Sequence, residues 1–362
     1  MKPYKFIISG GGTGGHIYPA IAIADALRES FSEAKFLFVG AKGKMEMEKI
    51  PQAGYPIKGI WISGLQRGSL LKNILFPFKL IISFFQSILI LLRFQPDFVI
   101  GTGGFASGPI LLIAHYLKIK TLIQEQNSFP GITNKILGKR VDIIAVAFPN
   151  MERYFPENKI SLTGNPVRKE LLEVGLKREQ AFQFFKLDST KKTLIVLGGS
   201  LGAGRINQVI ESNLSFFSDL GIQLIWQCGK LYYDRFQKYN ELKYVQVHAF
   251  LQEMDLLYAA SDIIISRAGA SSVSELALIG KPVLLIPSPN VAENHQYHNA
   301  KFLANSGGAF VLSENNLKDQ FKESINLLIS VDEKEIREKL SEFARPNATQ
   351  DILFKITQEL KV

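Results

Sequence analysis

The chain of 362 residues is 46% hydrophobic, which is enough for two domains that each bury a sizeable core. Its single cysteine, Cys228, excludes an intrachain disulfide framework and a cysteine-rich metal site, and is consistent with a reducing compartment. The formal net charge of +9 favours acidic partners such as phosphorylated ligands, nucleic acid or an anionic membrane, and does not choose among them.

The first half of the chain alternates short apolar runs with helical patterns. Its first run ends at glycines and is typical of a strand rather than of a signal peptide. The predicted strands are Tyr4–Ser9, Lys35–Val39, Ile57–Ile60, Asp97–Ile100, Thr121–Ile123 and Ile143–Ala145. The predicted helices are Ile17–Ser30, Met45–Ala53, Pro77–Arg93, Pro109–Leu117 and Ile132–Lys139. Apolar strands joined by helical crossovers predict a parallel sheet that helices cover on both faces.

The turn signal Gly164-Asn165-Pro166 interrupts this alternation, which then starts again. The further predicted strands are Thr193–Leu197, Gln223–Trp226, Tyr244–Val247, Asp262–Ile265 and Pro282–Ile286. The further predicted helices are Ile206–Phe217, Ser271–Ile279 and about Gln350–Leu360. We therefore predict an α/β protein of two Rossmann-like domains, 1–163 and 164–345, whose parallel sheets face a central cleft. The C-terminal segment, about 346–362, is expected to pack back on the first domain.

The apolar stretch from Ile74 to Leu92 approaches the length of a membrane span. Four of its polar side chains fall on one helical face: Lys79, Ser83, Gln86 and Ser87. The stretch also joins two predicted strands of one sheet, so we predict a helix that covers this sheet. Its apolar excess has two explanations, burial in the core or docking on an anionic bilayer surface. The cations beside it are Arg67, Lys72, Lys79 and Arg93.

A glycine-rich loop, Gly10–Gly15, follows the first predicted strand and leads into a helix. Glycines let the backbone turn tightly and expose its N–H groups, and a helix N-terminus adds a positive dipole end. The loop therefore predicts an anion site. His16 follows it, and a histidine can exchange a proton near neutral pH. A catalytic role and a capping or packing role for His16 both remain open.

The same loop matches the glycine spacing of the dinucleotide fingerprint, Gly10-x-Gly12-x-x-Gly15. That fingerprint needs an acidic residue at the end of the second strand, where it binds a ribose. The second predicted strand runs into Gly40-Ala41-Lys42, which offers no carboxylate to a ribose. NAD binding is therefore disfavoured.

The second domain contains two strand–loop–helix segments that suit phosphate groups. In Ser266–Glu275, small residues let a ligand approach backbone N–H groups, and Ser271 or Ser272 adds a hydroxyl. Glu275 lies one turn inside the helix, where a carboxylate can accept both hydroxyls of a ribose, and capping with Ser272 is the alternative. The loop Gly198–Ala203 is the second segment. Two such loops and a ribose-type acid predict a nucleoside diphosphate ligand.

The stretch Asn290–Asn299 is rich in side chains that can hold sugar hydroxyls. A metal site built on His295 and His298 would have only Glu293 as a nearby carboxylate, so we expect neither a metal nor a cofactor. Nucleic-acid binding is also disfavoured, because the chain has no basic recognition motif and no Lys/Arg run with interleaved aromatics.

In chain order, these segments resemble those of the MurG family of bacterial cell-wall glycosyltransferases, over essentially the whole chain. The residues that carry the resemblance are Gly11–His16, Gly101–Phe105, Glu125–Asn127, Gly164–Arg168, Gly198–Ser200, Arg267–Ala270, Glu275 and His295-Gln296. The resemblance implies a two-domain inverting glycosyltransferase of GT-B architecture. Its donor would be UDP-GlcNAc, and its acceptor the C4 hydroxyl of the muramyl sugar of lipid I, the undecaprenyl-diphosphate-linked muramyl pentapeptide. The product would be lipid II, for peptidoglycan synthesis.

The resemblance also implies which residues act. Glu275 would bind the donor ribose, and Phe250 and Leu251 would face uracil. The other donor residues, at the diphosphate and the sugar, would be Arg168, Ser200, Ala270, Ser271, Ser272, His295 and Gln296. The acceptor side would be formed by Gly12, Thr13, Gly14, Gly15, Gly103, Gly104 and Asn127. His16 would be the general base.

A peripheral position on the cytoplasmic face of the bacterial inner membrane is implied as well, with cell-wall synthesis and division proteins as candidate partners. Two other functions remain open. One is a transferase of the same architecture that acts on a diacylglycerol or a small molecule. The other is a protein that binds a nucleotide sugar or a dinucleotide without transferase activity.

Overall fold

The computed structural model describes residues 3–64, 74–199 and 201–360. The chain divides into two compact units: one runs up to Val167 and includes the chain from Asn347 onward, and the other is Arg168–Pro346. The boundary expected from the sequence lies a few residues earlier. Each unit contains one parallel sheet flanked by helices, so the predicted fold class, an α/β protein of two parallel-sheet domains, is confirmed.

The first unit is built on a seven-stranded parallel sheet in the order β3-β2-β1-β4-β5-β6-β7. Its strands are β1 Lys5–Gly10, β2 Lys35–Ala41, β3 Ile57–Ile60, β4 Phe98–Gly103, β5 Lys120–Glu125, β6 Ile143–Val146 and β7 Ile160–Leu162. The helices described in this unit are Gly14–Ser30, Glu46–Gln52, Phe76–Phe94, Ser107–Tyr116, Ile132–Gly138 and, at the end of the chain, Ala348–Leu360.

The sheet of the first unit is covered on both faces. Along β1, Phe6 and Ile8 belong to one hydrophobic cluster and Ile7 belongs to another, and all three are fully buried. Because successive side chains of a strand point to opposite faces, both faces of this sheet are buried. Its strands are for this reason continuous apolar runs rather than alternating ones.

The last helix, Ala348–Leu360, packs against the first unit. Its buried residues Ile352 and Ile356 lie one turn apart and share a hydrophobic cluster with β1. At the same place, Nζ of Lys120 lies 2.6 Å from Oε2 of Glu359. The apolar stripe of this helix therefore completes the cover of a sheet that begins at the opposite end of the chain.

The second unit is built on a six-stranded parallel sheet in the order β10-β9-β8-β11-β12-β13. Its strands are β8 Thr193–Leu197, β9 Gln223–Gln227, β10 Val245–His248, β11 Ile263–Ser266, β12 Val283–Leu285 and β13 Phe310–Val311. Its described helices are Arg178–Phe185, Gly204–Ser212, Leu214–Asp219, Tyr233–Phe236, Met254–Ala260, Ala270–Ile279, His295–Asn305, Leu317–Ser330 and Glu333–Ser341.

In each sheet the strand order reverses once, between β1 and β4 and between β8 and β11. Open parallel sheets bind ligands beyond the carboxyl ends of the strands at such a reversal. The glycine-rich loops predicted from the sequence follow these four strands. Each unit therefore presents its candidate ligand loops at the position that this kind of sheet favours.

Several elements differ from the prediction. The short edge strands β7 and β13 were not predicted, because a run of two or three residues has no periodicity to detect. The predicted helix Ile206–Phe217 is two helices, Gly204–Ser212 and Leu214–Asp219. Asn213 separates them, and its Nδ2 donates to the carbonyl oxygen of Val209 (2.8 Å). Side chains of this kind compete with helical hydrogen bonds.

The helix Phe76–Phe94 turns its polar face inward. Ser83 and Ser87 are fully buried, and their Oγ atoms donate to carbonyl oxygens of their own helix. Ile90 and Leu91 on the same side join the core cluster of the sheet. The large apolar side chains elsewhere on the helix are exposed: Phe78, Ile81, Ile82, Phe85, Leu89 and Leu92.

This helix covers the sheet as predicted, but burial in the core does not account for its apolar excess. Among the residues that the structure describes, it alone is long and apolar enough to cross a membrane, by length and composition only.

Candidate active site

Two glycine-rich loops meet where the strand order of the first unit reverses. The amide of Gly11, after β1, donates to the carbonyl oxygen of Gly103, at the end of β4 (3.4 Å). A Cβ at Gly104 would collide with the carbonyl oxygen of Gly11, and φ of Gly104 is +83°. Only glycine combines this backbone conformation with such a close approach. The structure therefore brings together the two loops predicted to form the acceptor side.

The imidazole of His16 is held in one tautomer by the same loop. Its Nδ1 lies 2.9 Å from the carbonyl oxygen of Gly11. A carbonyl oxygen only accepts, so Nδ1 carries the proton and Nε2 of the neutral ring carries the lone pair. The helix Gly14–Ser30 has Thr13 as its N-cap, so His16 does not cap it. Oγ1 of Thr102, on β4, donates to the backbone oxygen of His16 (2.7 Å), so the backbone of His16 is hydrogen-bonded to this strand.

The first turn of the helix Gly14–Ser30 offers backbone N–H groups to an anion. Gly14 and Gly15 occupy its first two positions, where an amide has no intrahelical acceptor. The turn contains no acidic residue, and Gly15 is exposed. Thr13, Gly14 and Gly15 therefore lie where a diphosphate can bind.

Sequence reasoning missed a buried carboxylate beneath this loop. Glu46 is fully buried and accepts the N–H of Gly12 through Oε2 (2.9 Å) and the N–H of Ala41 through Oε1 (3.0 Å). Room for this carboxylate exists because residues 11 and 40 are glycines, since a Cβ at either would collide with the Glu46 side chain. The N–H of Gly12 therefore already donates to Glu46 and does not serve a ligand, unlike the N–H groups of Gly14 and Gly15 in the first turn of the helix.

The structure places a carboxylate near the end of β2 that the sequence analysis did not foresee, because the following helix supplies Glu46. Both oxygens of this carboxylate nevertheless bind backbone amides, and the side chain is shielded from solvent. It is not available to a ribose, so the structure gives no support to dinucleotide binding. The sequence showed this residue only as a glutamate in the first turn of a short helix, and such a glutamate is usually exposed to solvent. Its burial could not be inferred from that.

If the glycine loop holds the acceptor, as the resemblance implies, replacement of Glu46 by glutamine should raise the acceptor KM about tenfold and leave donor affinity unchanged. Glutamine has one side-chain oxygen, so one of the two buried amides would lose its acceptor, at a cost of about 1–3 kcal/mol. Steady-state kinetics with each substrate varied in turn measures this effect. The matched control is Glu48→Gln, two residues away and exposed. Equal changes in the KM values for acceptor and donor would contradict the view that Glu46 supports only the glycine loop.

Glu125, at the end of β5, is the buried centre around which Asn127 is placed. Its carboxylate accepts four N–H groups, from the backbone of Asn127 and Gly131 and from the side chains of Asn127 and Asn134. Burial raises the pKa of this carboxyl, and the four donors oppose that rise. Nε2 of the neighbouring Gln126 donates to the carbonyl oxygen of Thr102 on β4 (2.6 Å). The residue before Asn127 is therefore hydrogen-bonded to β4.

In the second unit, the helix Ala270–Ile279 begins after β11, where the strand order reverses. Its N-cap is Gly269, with an extended backbone, and its first turn has no acidic residue. The amides of Ser271 and Ser272 lie in this turn, at the positive end of the helix dipole. Ala270 is buried, and both serines are half-buried. This turn has the features of the diphosphate site that the sequence predicts.

Glu275 lies one turn further into this helix, and two residues hold its carboxylate. Oε2 accepts the hydroxyl of Tyr258 (3.0 Å), and Oε1 lies 3.7 Å from Nε of Arg168. Burial raises the pKa of Glu275, while the charge of Arg168 and the hydrogen bond from Tyr258 oppose the rise. The helix has Gly269 as its N-cap and no side-chain cap, so the capping alternative for Glu275 is wrong. Arg168, which the resemblance assigns to the diphosphate, lies beside this carboxylate.

The helix His295–Asn305 begins at the two predicted sugar ligands. Oε1 of Gln296 accepts the amide of Ser288 (2.8 Å), which leaves its NH₂ group as the side-chain donor for a ligand. His295 is half-buried at the first helical position. Nδ2 of the buried Asn299 donates to the carbonyl oxygen of Ala268 (3.4 Å). This bond ties the helix to the loop that precedes Ala270.

The predicted uracil segment follows β10. Leu251 is buried, and its amide donates to Oε1 of Gln227 (2.9 Å), so this N–H does not face a ligand. Phe250 is exposed. Ser200 lies outside the described residues, and its assignment to the diphosphate stays a prediction. Within residues 3–64, 74–199 and 201–360, no three His, Cys, Asp or Glu side chains cluster closely enough to hold a metal ion.

Comparison with known proteins matches both units to one family. Residues 6–146 match the glycosyltransferase family 28 N-terminal domain, and residues 193–352 match the family 28 C-terminal domain. The chain is 54% identical to the UDP-N-acetylglucosamine–N-acetylmuramyl-(pentapeptide) pyrophosphoryl-undecaprenol N-acetylglucosamine transferase of Flavobacterium psychrophilum, over 98% of both proteins. It is 53% identical to the protein of that name from Christiangramia forsetii, over 97% of this chain and 96% of the relative.

Among solved structures, the chain is similar to the crystal structure of Acinetobacter baumannii MurG. The TM-score is 0.80 at 27% identity, over 98% of this chain and 100% of the other. The matched domains and relatives confirm the resemblance drawn from the motifs. This chain therefore belongs to glycosyltransferase family 28 and, within it, to the MurG family.

Proposed function

We propose that the chain transfers N-acetylglucosamine from UDP-GlcNAc to the C4 hydroxyl of the muramyl sugar of lipid I, with inversion at the anomeric carbon, to give lipid II. Curated relatives that match nearly the whole chain bear the name of this transferase. The structural observation that carries the proposal is the imidazole of His16. Gly11 sets its tautomer at the edge of the sheet where the glycine loops meet.

In the proposed reaction the first unit binds lipid I. The amides of Gly14 and Gly15 bind its diphosphate, as helix N-termini bind anions. Nε2 of His16 takes the proton of the C4 hydroxyl while the hydroxyl oxygen attacks the anomeric carbon of the donor. A neutral imidazole with its proton on Nδ1 is the form that can act as this base near neutral pH.

The second unit binds the donor in this proposal. Glu275 accepts the ribose hydroxyls, and the diphosphate lies at the first turn of the helix Ala270–Ile279. When the bond between the anomeric carbon and the diphosphate oxygen breaks, negative charge grows on UDP. Preoriented N–H groups and the positive end of a helix dipole can stabilise that charge without a metal ion.

The test uses purified protein and UDP-GlcNAc labelled in the sugar. A lipid I analogue, a diacylglycerol and buffer are offered in separate reactions, and the lipid fraction is counted. We expect label only in the lipid I analogue. Label in the diacylglycerol alone would favour the alternative transferase. Donor binding without any transfer would favour the binding-protein alternative, and either result would overturn the proposal.

We further propose that the enzyme docks on the cytoplasmic face of the inner membrane through the helix Phe76–Phe94. Its outward side presents several large apolar residues, and Phe85 is 64% exposed. Arg93 is exposed at the end of the helix, and Lys79 lies half-buried in its first turns. An apolar surface bordered by cations suits the boundary of an anionic bilayer. Arg67 and Lys72 lie outside the described residues, and their contribution stays a prediction, as do protein partners in cell-wall synthesis and division.

The double substitution Phe85→Ser with Leu89→Ser is expected to abolish flotation with vesicles that contain phosphatidylglycerol. Full burial of one such side chain is worth about 1.5–3 kcal/mol, so loss of two should weaken binding by at least about a hundredfold. Transfer to a water-soluble acceptor analogue should not change. Leu176→Ser is the control, since Leu176 is 89% exposed and lies in the second unit. Undiminished flotation of the double variant would remove this helix from the docking surface.

A further inference from the structure

A buried tyrosine that no motif of the sequence assigns contacts the carboxylate of Glu275. Tyr258 lies on the helix Met254–Ala260 and is fully buried. Its hydroxyl is 3.0 Å from Oε2 of Glu275. We propose that Tyr258 is a positioning residue for the donor, which holds the Glu275 carboxylate in the orientation that accepts the ribose hydroxyls. This inference rests on the donor role proposed for Glu275.

Of the two groups beside the carboxylate, Tyr258 is the one able to fix it. The side chain of Arg168 is 50% exposed and its Nε lies 3.7 Å from Oε1, so solvent weakens this ion pair. The hydrogen bond from Tyr258 is buried, where the low dielectric strengthens it. The side chain of Glu275 is 11% exposed, so it is not completely sealed from solvent.

The direction of this hydrogen bond leaves the carboxylate able to bind a ribose. An ionised carboxylate only accepts, so the tyrosine hydroxyl donates. Burial and the neighbouring carboxylate raise the pKa of Tyr258 well above its usual value, which keeps the hydroxyl protonated. The bond uses one lone pair of Oε2. Lone pairs on both oxygens remain for the 2′ and 3′ hydroxyls of a ribose.

Holding the carboxylate in advance lowers the cost of binding. Ordering a glutamate side chain costs conformational entropy, and in this structure the fold has already ordered it. The hydrogen bond also lowers the pKa of Glu275 against the effect of burial. Tyr258 thus favours both the geometry and the ionised form that ribose binding needs.

The test compares UDP with 2′,3′-dideoxy-UDP by isothermal titration calorimetry. We expect the native protein to prefer UDP. In Tyr258→Phe, UDP affinity should fall about tenfold, the size expected for one hydrogen bond to a charged group, while affinity for the dideoxy analogue stays nearly constant. On acidification, UDP affinity of the variant should fall at a higher pH than that of the native protein, since loss of this hydrogen bond raises the pKa of Glu275. Among the residues that the structure describes, the titratable and charged groups that face this carboxyl are Arg168 and Tyr258.

Two further variants separate positioning from general stability. Tyr239→Phe removes a hydroxyl that donates to Glu211 (2.8 Å) elsewhere in the same unit, and should leave the preference for UDP intact. In a Glu275→Ala background, Tyr258→Phe should change the preference no further. Equal weakening of both ligands by Tyr258→Phe, or no weakening of either, would overturn the positioning role while the proposed function stands. A native protein without any preference for UDP would overturn the ribose role of Glu275 as well.

Discussion

Replacement of His16 by alanine is expected to lower kcat by roughly a hundredfold to ten-thousandfold, while UDP-GlcNAc binding stays within a few fold of the native value. The reason lies in the hydrogen bond between Nδ1 of His16 and the Gly11 carbonyl oxygen, which leaves the lone pair on Nε2. Alanine removes the imidazole, which is the proton acceptor proposed for the C4 hydroxyl. Turnover with a saturating water-soluble lipid I analogue measures the loss, and calorimetry with UDP measures donor binding.

Two variants distinguish a base from a structural residue. His16→Gln keeps a polar side chain of similar reach but cannot take the proton at neutral pH, so it should be nearly as slow as the alanine variant. His115→Ala removes a histidine from another helix of the same unit and should turn over normally. Near-native turnover of His16→Ala would remove the base assignment, whatever the donor affinity.

Replacement of Glu275 by alanine is expected to weaken UDP binding by about a hundredfold and to leave the acceptor KM unchanged. The ribose of UDP would lose two charge-assisted hydrogen bonds, each worth about 1.5–3 kcal/mol, and removal of a buried charge would partly offset this loss. Its contacts with Tyr258 and Arg168 show that it serves neither as a helix cap nor as a solvated surface charge. Calorimetry with UDP measures the effect directly.

The matched control for this variant is Glu211→Ala. Glu211 also accepts a tyrosine hydroxyl and pairs with an arginine, Arg235, but lies outside the donor site. It should bind UDP normally. Unchanged UDP affinity in Glu275→Ala would contradict the ribose assignment and leave the carboxylate with a purely structural role.

The parts of the site that lie within one short segment could be predicted from the sequence. The loop Gly10–Gly15 follows an apolar run and precedes a helix, and its turn at Gly12 has a positive φ of +85°, which favours glycine. The helix start at Ala270 is equally local, because small residues follow a strand. The parallel sheets were predictable for the same reason, since doubly covered strands are continuous apolar runs.

The groups that support the site from a distance could not be predicted. Glu46 binds an amide 34 residues away, and Tyr258 binds a carboxylate 17 residues away. In the sequence these are a glutamate and a tyrosine in short helices, and their burial depends on the packed sheet. The direction of the polar face of Phe76–Phe94 was equally hard to predict. Ser83 and Ser87 can face the packed sheet because each hydroxyl donates to a carbonyl oxygen of its own helix.

The structure of the product tests the proposed inverting transfer to the C4 hydroxyl. The purified protein is incubated with UDP-GlcNAc and a lipid I analogue in the presence of a chelator, and the lipid-linked product is analysed by NMR. We predict a new β-glycosidic bond from GlcNAc to the C4 oxygen of the muramyl sugar, because an inverting attack on the α-linked donor gives the β anomer. An α linkage, attachment at another oxygen, or free GlcNAc as the only product would contradict it.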